Sequence, residues 1–178
     1  ITKLYGIFNG TSNYILSSMD FENLSFEDAL NKAKLLGYAE SNPKYDLNGD
    51  DVSSKVKILS SLCFNSKINN TIHVEGIKNI DRNDIINANK LGYKIKLLGL
   101  AELKHNKICQ RVHPVLIKNK KYIAGINGVL NAVIIDGKPI GQSVLQGEGA
   151  GPGATTSALI SDLSSVLRGN IKYPFAIS

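Results

Sequence analysis

GYAESNPKYDLNGDDVSSKVKIL, residues 37–59, gathers Glu40, Asp46, Asp50, Asp51, Lys55 and Lys57 around Pro43, Asn48 and Gly49. From Asp51 to Cys63 the pattern is helical. On a wheel advancing about 100° per residue from Asp51, Ile58 and Leu62 fall beside Asp51. Leu59, Val52, Cys63 and Val56 continue that arc, and Ser53, Ser54, Lys57, Ser60 and Ser61 fill the opposite one. Asp51 and Lys55 thus lie inside the apolar arc, which predicts that they are buried where the helix docks. An acid–base pair four residues apart is usually solvated and contributes roughly a few tenths of a kcal/mol. Burying both ions costs roughly several kcal/mol per ion unless they are paired and hydrogen-bonded. A pair on the docking face, with Glu40 and Asp46 close by, therefore reads either as an active-site cluster or as a buried structural salt bridge.

Outward from this stretch the chain divides into helical ends and a β-rich middle. Residues 2–8 read as a strand. NGTSNYILSSM, from residue 9, opens a helix that Asn9 or Thr11 can cap. SFEDALNKAKLLG, from residue 25, is a helix with Ser25 as cap, an apolar face of Phe26, Ala29, Leu30, Ala33 and Leu36, and Gly37 as its stop. Tyr38 to Asp50 reads as a loop. A short helix begins at Asp81 and runs through Leu91. The runs 93–103, 108–117, 126–136 and 140–147 read as four strands, with DGKP at residues 136–139 as a hairpin turn. A helix from Thr155 to Arg168 follows, then the irregular tail GNIKYPFAIS. The fold class expected is α+β: a mixed, mainly antiparallel sheet with helices on one face.

The chain has 178 residues and a formal net charge of +6. Its length suits one domain, 1–178, able to fold without disulfides or metal. Two cysteines, Cys63 and Cys109, read as free thiols in a reducing, cytoplasmic setting. No apolar run reaches membrane-spanning length. The basic balance invites a nucleic-acid reading, but the lysines are scattered and the densest cluster is only Lys118, Lys120 and Lys121. The opening run ITKLYGIF lacks an initiator Met, and the chain reads as a piece of a longer protein. No G-x-G-x-x-G follows an early strand and no P-loop occurs, so most of any nucleotide site would lie elsewhere. GEGAGPGATT, residues 147–156, could meet phosphate at a helix N-terminus or be a tight turn capped by Thr155 or Thr156. His113 has no partner at metal-ligand spacing and reads as structural; no metal site is expected.

Together GIFNGTSNYIL, LLGYAESNPKYDLNGDDVSSKVKIL, VHPVLI, INGVLNAVIIDG and GEGAGPGATTSALISDL resemble homoserine dehydrogenase, in order and over nearly the whole chain. The resemblance implies the second domain of a two-domain dehydrogenase, without the N-terminal Rossmann domain that binds most of the NAD(P). It implies reversible reduction of L-aspartate 4-semialdehyde to L-homoserine, in threonine and methionine biosynthesis. It places Lys55 as the proton donor, Glu40 and Asp51 on the amino and hydroxyl ends of homoserine, and Asp46 and Tyr38 at further substrate positions. Thr11 and Gly10 form the facing wall, and Gly151 approaches the cofactor. Any monovalent-cation site would lie mostly in the missing domain. Ala154, Ser41 and Asn42 depart from the family pattern without touching this chemistry.

Reducing an aldehyde requires a proton for the developing alkoxide. A lysine whose pKa is lowered by burial could supply it, while neighbouring carboxylates push that pKa up. The fragment alone is expected to be inactive. Four apolar strands with helices on one face leave the other face to be covered, by a second copy in a homodimer or by the missing domain. The alternative reading is a basic, non-catalytic nucleic-acid-binding module with a structural ion cluster.

Overall fold

The computed structural model describes residues 1–67, 72–105 and 107–169. The expected tail beyond Gly169, and Asn106 between the first and second of the four strand runs, lie outside them. Strands β1 (Lys3–Ile7), β2 (His73–Val74), β3 (Tyr93–Lys104), β4 (Lys107–Lys118), β5 (Leu130–Gly137) and β6 (Gly141–Glu148) form a sheet of order β2-β4-β3-β1-β5-β6. Every pair is antiparallel except β2 with β4. The helices are α1 (Gly10–Phe21), α2 (Phe26–Leu35), α3 (Lys44–Leu47), α4 (Asp50–Phe64), α5 (Arg82–Lys90) and α6 (Pro152–Leu167). The α+β class and the mainly antiparallel sheet are as expected.

The sheet has six strands instead of four. The first strand is its centre, paired with β3 on one side and β5 on the other. β2 adds a two-residue edge too short to show a period. The run 126–136 begins late: Tyr122–Gly125 is a 3-10 turn, and β5 starts at Leu130. α3 interrupts the expected loop 38–50, and α6 starts at Pro152, so Thr155 and Thr156 lie inside it and cap nothing. Asn9 and Ser25 cap α1 and α2, accepting from the backbone N–H of Ser12 and Asp28. Asp81 and Asp84 close a reciprocal box at the start of α5.

Alternation divides the sheet's side chains. Leu4, Phe8, Leu97, Ala101 and Val112 face the helices and pack with Ile15, Leu16, Met19, Ala29, Val52, Val56 and Ile85. Ile7, Leu98, Ile117, Ala132 and Ile134 face the other way and cluster with Ile123, Ala124 and Ile126, with Tyr5, Val115 and Leu130 packed against them.

α4 docks by a face other than the expected one. Its buried residues are Val52, Ser53, Val56, Ser60 and Ser61, while Ile58 and Leu62 are each 44% exposed. The reason is close approach. Gly6 and Gly99 are cross-strand partners at the middle of the sheet. A Cβ on Gly99 would overlap Val56 and come within 2.8 Å of Phe8 and 2.9 Å of Val52. Small serines suit such a contact, and Ser60 accepts a hydrogen bond from Gln110 on β4. Hydrophobicity alone therefore misplaced the docking face, and Asp51 and Lys55 are turned toward an opening.

Gly99→Ala should destabilise the fold by about 1–3 kcal/mol through overpacking. Gly125→Ala, where a Cβ meets no atom within 4 Å, should stay within about 0.5 kcal/mol of the parent. Urea unfolding of the two variants side by side checks this; equal midpoints would mean that α4 lifts off the sheet at no cost.

Candidate active site

β1 ends where Asn9 turns the chain into α1. Asn9 Oδ1 accepts from Ser12 N at 2.8 Å and so caps the helix. Its Nδ2 donates to Asp46 Oδ1 at 2.8 Å and Asp51 Oδ2 at 2.9 Å. One amide thus joins α1 to α3 and α4, using both of its N–H groups. Ser12 Oγ adds a bond to the Asp46 carbonyl at 3.0 Å. Gly49, with φ of +87°, makes the turn between α3 and α4; a Cβ there would lie 3.2 Å from both Val112 and Val74, and a side chain is disfavoured in that conformation.

Lys55 stands one turn along α4 from Asp51. Its Nζ donates to Asp51 Oδ2 at 2.7 Å and to the Phe8 carbonyl at 2.8 Å. The expectation of burial fails here: the Lys55 side chain is 44% exposed and that of Asp51 20%. A pair this wet is not a buried structural salt bridge, and its net stabilisation is small. An ammonium has three N–H groups, and two are engaged, leaving one for a ligand.

These groups open onto a cleft of roughly 450 Å³, a size suited to a small ligand. Asn9, Asp46, Asp51 and Lys55 form one wall. Gly10, Thr11, Leu36, Gly37 and Tyr38 form a second, and Val129, Asn131 and Glu148–Gly151 a third. Thr11 Oγ1 donates to the Tyr38 carbonyl at 2.7 Å, and the Tyr38 ring rests 4.9 Å from that of Tyr14. Gly10 is needed where it is, since a Cβ there would lie 2.9 Å from the Val129 carbonyl. Gly151, with φ of +107°, leaves open space beside the cleft.

Lys55, Asp51, Asp46, Tyr38, Thr11, Gly10 and Gly151 therefore meet in one place, drawn from four separate segments. Glu40 does not join them; it is exposed and outside the cleft wall. Lys118, Lys120 and Lys121 are exposed at the far end of β4. His113 bonds locally to the Pro114 carbonyl at 2.9 Å. Among the described residues there is no group of three or more His, Cys, Asp or Glu placed to hold a metal, and no helix long and apolar enough to cross a membrane. The sequence reading missed Asn9 as a bridge, having seen it only as a possible cap, and missed Asn131. The Asn131 Oδ1 is buried without a hydrogen-bond partner among the described residues.

A family model described as homoserine dehydrogenase matches residues 1–164. The chain belongs to the homoserine dehydrogenase family. The homoserine dehydrogenase of Helicobacter pylori is 44% identical over 170 residues, which are 94% of this chain and 40% of that protein. The crystal structure of a homoserine dehydrogenase from Thiobacillus denitrificans superposes with a TM-score of 0.92 at 43% identity, over 94% of this chain and 39% of that one. A mutant of a hyperthermophilic archaeal homoserine dehydrogenase in complex with NADPH has a TM-score of 0.79 at 25% identity, over 99% of this chain and 50% of that one. The chain spans about 40% of the length of the curated homoserine dehydrogenases it matches. It corresponds to the family's catalytic domain.

Asn9→Ala should cost about 1–2 kcal/mol, the loss of a helix cap. Asn9→Asp keeps the capping oxygen but sets a third carboxylate against Asp46 and Asp51, and should be the worse variant near neutral pH. Urea midpoints rank the two; an Asn9→Asp protein as stable as the parent would show that the amide is not the bridge.

Proposed function

We propose that this domain binds the substrate and supplies the proton in the reversible, NAD(P)-dependent reduction of L-aspartate 4-semialdehyde to L-homoserine. The observation that carries the reading is one cleft in which an ammonium and two carboxylates face a glycine-rich backbone. Lys55, held by Asp51 and the Phe8 carbonyl, gives a proton to the substrate's carbonyl oxygen as that oxygen gains charge, and takes it back from the hydroxyl in the reverse direction. Asp46 and Asp51 offer lone pairs to the substrate's ammonium and hydroxyl. Thr11, Gly10 and Tyr38 close the facing wall. Glu40, exposed here, is assigned to the ammonium on family resemblance alone.

The residues fit an edge of a nicotinamide cofactor. Gly149 and Gly151 present bare backbone on either side of the small Ala150 in the cleft lining, and Asn131, whose Oδ1 has no partner among the described residues, lies beside Gly149. The cofactor, when bound, supplies or accepts the hydride. We assign most of its binding to a nucleotide-binding domain outside this chain, because the chain has no dinucleotide fingerprint. α6 suits contact with that domain: it has no buried residue, and Leu159, Ile160, Leu163, Val166 and Leu167 are all exposed.

In the full-length enzyme Lys55→Ala should lower turnover at least about a hundredfold, with much less effect on nucleotide KM. Steady-state kinetics with homoserine decide it, and near-normal turnover would remove Lys55 from the mechanism.

The sheet's second face supports a homodimer. Tyr5 and Leu100 are half-exposed there, Val144 is 40% exposed, and the 3-10 segment covers only one end. A second copy related by a two-fold axis would cover the remainder. Light scattering of the domain across a dilution series should give twice the chain mass down to micromolar concentration; a stable, folded monomer would leave the nucleotide-binding domain as the cover.

A further inference from the structure

Lys96 on β3 is 3% exposed, unusual for a lysine. It lies outside the cleft. Its Nζ donates to the Ile126 carbonyl at 2.6 Å, Asn127 Oδ1 at 2.9 Å and Asn13 Oδ1 at 3.0 Å, with Ser17 Oγ at 3.5 Å. Asn13 Nδ2 in turn donates to the Ile126 carbonyl at 3.2 Å and the Leu130 carbonyl at 3.1 Å. Ser17 Oγ accepts from Gly128 N at 3.2 Å. One lysine and two α1 residues four apart thus grip the 126–130 segment at several points.

That segment delivers Val129 and Asn131 to the cleft. Stability alone is a poor reason for the arrangement, because an apolar side chain of similar volume avoids the desolvation cost. Burial pushes the Lys96 ammonium down to about 8, further helped by Lys94 and opposed by Asp20, the charged groups nearest it on β3 and α1. The three close acceptors favour the charged form.

We propose that Lys96 is a positioning residue for the cleft, holding the 126–130 segment against α1 so that Val129 and Asn131 stand where the substrate needs them. This rests on the homoserine reading only for the choice of substrate.

The test uses the full-length enzyme with Lys96→Met, and with Ile85→Ala as a control that creates a cavity in the helix-side core. Lys96→Met should raise the homoserine KM about tenfold or more, the scale of a sub-ångström misplacement, and leave the nucleotide KM within about twofold. Amide exchange over residues 126–131 should quicken while exchange in α5 stays unchanged. The pH dependence has a definite sign. Lys96 releases its proton in the folded protein near pH 8, so the parent's clamp weakens as pH rises through that value. The ratio of variant to parent KM should therefore be largest below pH 8 and shrink above it. Should Lys96→Met fail to fold, Asn127→Ala removes one acceptor and leaves the lysine; it should raise KM about threefold and quicken the same amides. A folded Lys96→Met enzyme with homoserine KM within about twofold of the parent overturns the proposal, as does an equal rise in Ile85→Ala. If the parent does not turn over homoserine, the functional reading fails by itself. The exchange arm still decides the clamp, and unchanged protection over 126–131 in Lys96→Met overturns it.

Discussion

The side-chain amide of Asn9 holds two carboxylates that would otherwise repel each other. Asp46 and Asp51 come from different helices, and nothing in α3 or α4 alone would bring their charges together. One nitrogen bonded to both offsets that repulsion and fixes the spacing between the two helices. The same residue caps α1 through its oxygen, so the helix start and the acidic pair share one anchor at the end of β1. Lys55 then has only one place to go: between the Asp51 carboxylate and the carbonyl that β1 leaves free at Phe8. Because Phe8 packs against Gly99 and its carbonyl also accepts from Lys55, the height of α4 above the sheet sets the reach of Lys55 into the cleft.

Much of this was legible in the residues. The cap Ser25, the helix beginning near Asp81, the hairpin at DGKP and the alternating strands declare themselves locally, because each is a matter of a few adjacent backbone groups. The convergence of Tyr38, Asp46, Asp51 and Lys55 was legible for the same reason, since one loop and one helix carry them all. The face by which α4 docks was not. A wheel assumes that the apolar side goes in, whereas here the depth of contact is set by glycines more than forty positions away. The central place of β1, the role of Asn9 across three helices and the burial of Lys96 are likewise products of long-range pairing, which no local pattern carries. Lys96 in particular sits in a run, YKIKLLGL, whose alternation by itself would turn that lysine to solvent.

Two surfaces are finished differently from the rest. The helix side of the sheet is closed chiefly by α1, α4 and α5, with most of its apolar residues removed from water. The opposite side is closed at one end only, and α6 carries a line of aliphatic side chains with no cover among the described residues. Whatever binds either surface in the folded state alone would add to the stability of the domain by mass action.

The pairing of β1 has a kinetic consequence. Thr2 donates both its backbone N–H and its hydroxyl to the Asp136 carbonyl, 134 positions along the chain, and the strand's other neighbour begins beyond residue 90. The middle strand of the sheet is thus the first one made and among the last to find its partners. Until β3 and β5 exist, β1 is an apolar segment with two open edges, the kind of surface on which chaperones and unwanted neighbours compete. Loops this long close slowly, and topologies dominated by them fold slowly at a given stability. The cleft inherits that order of events: its lysine and acids are encoded in the first third of the chain, whereas its third wall, Val129, Asn131 and Glu148–Gly151, is supplied by the segments around the last two strands.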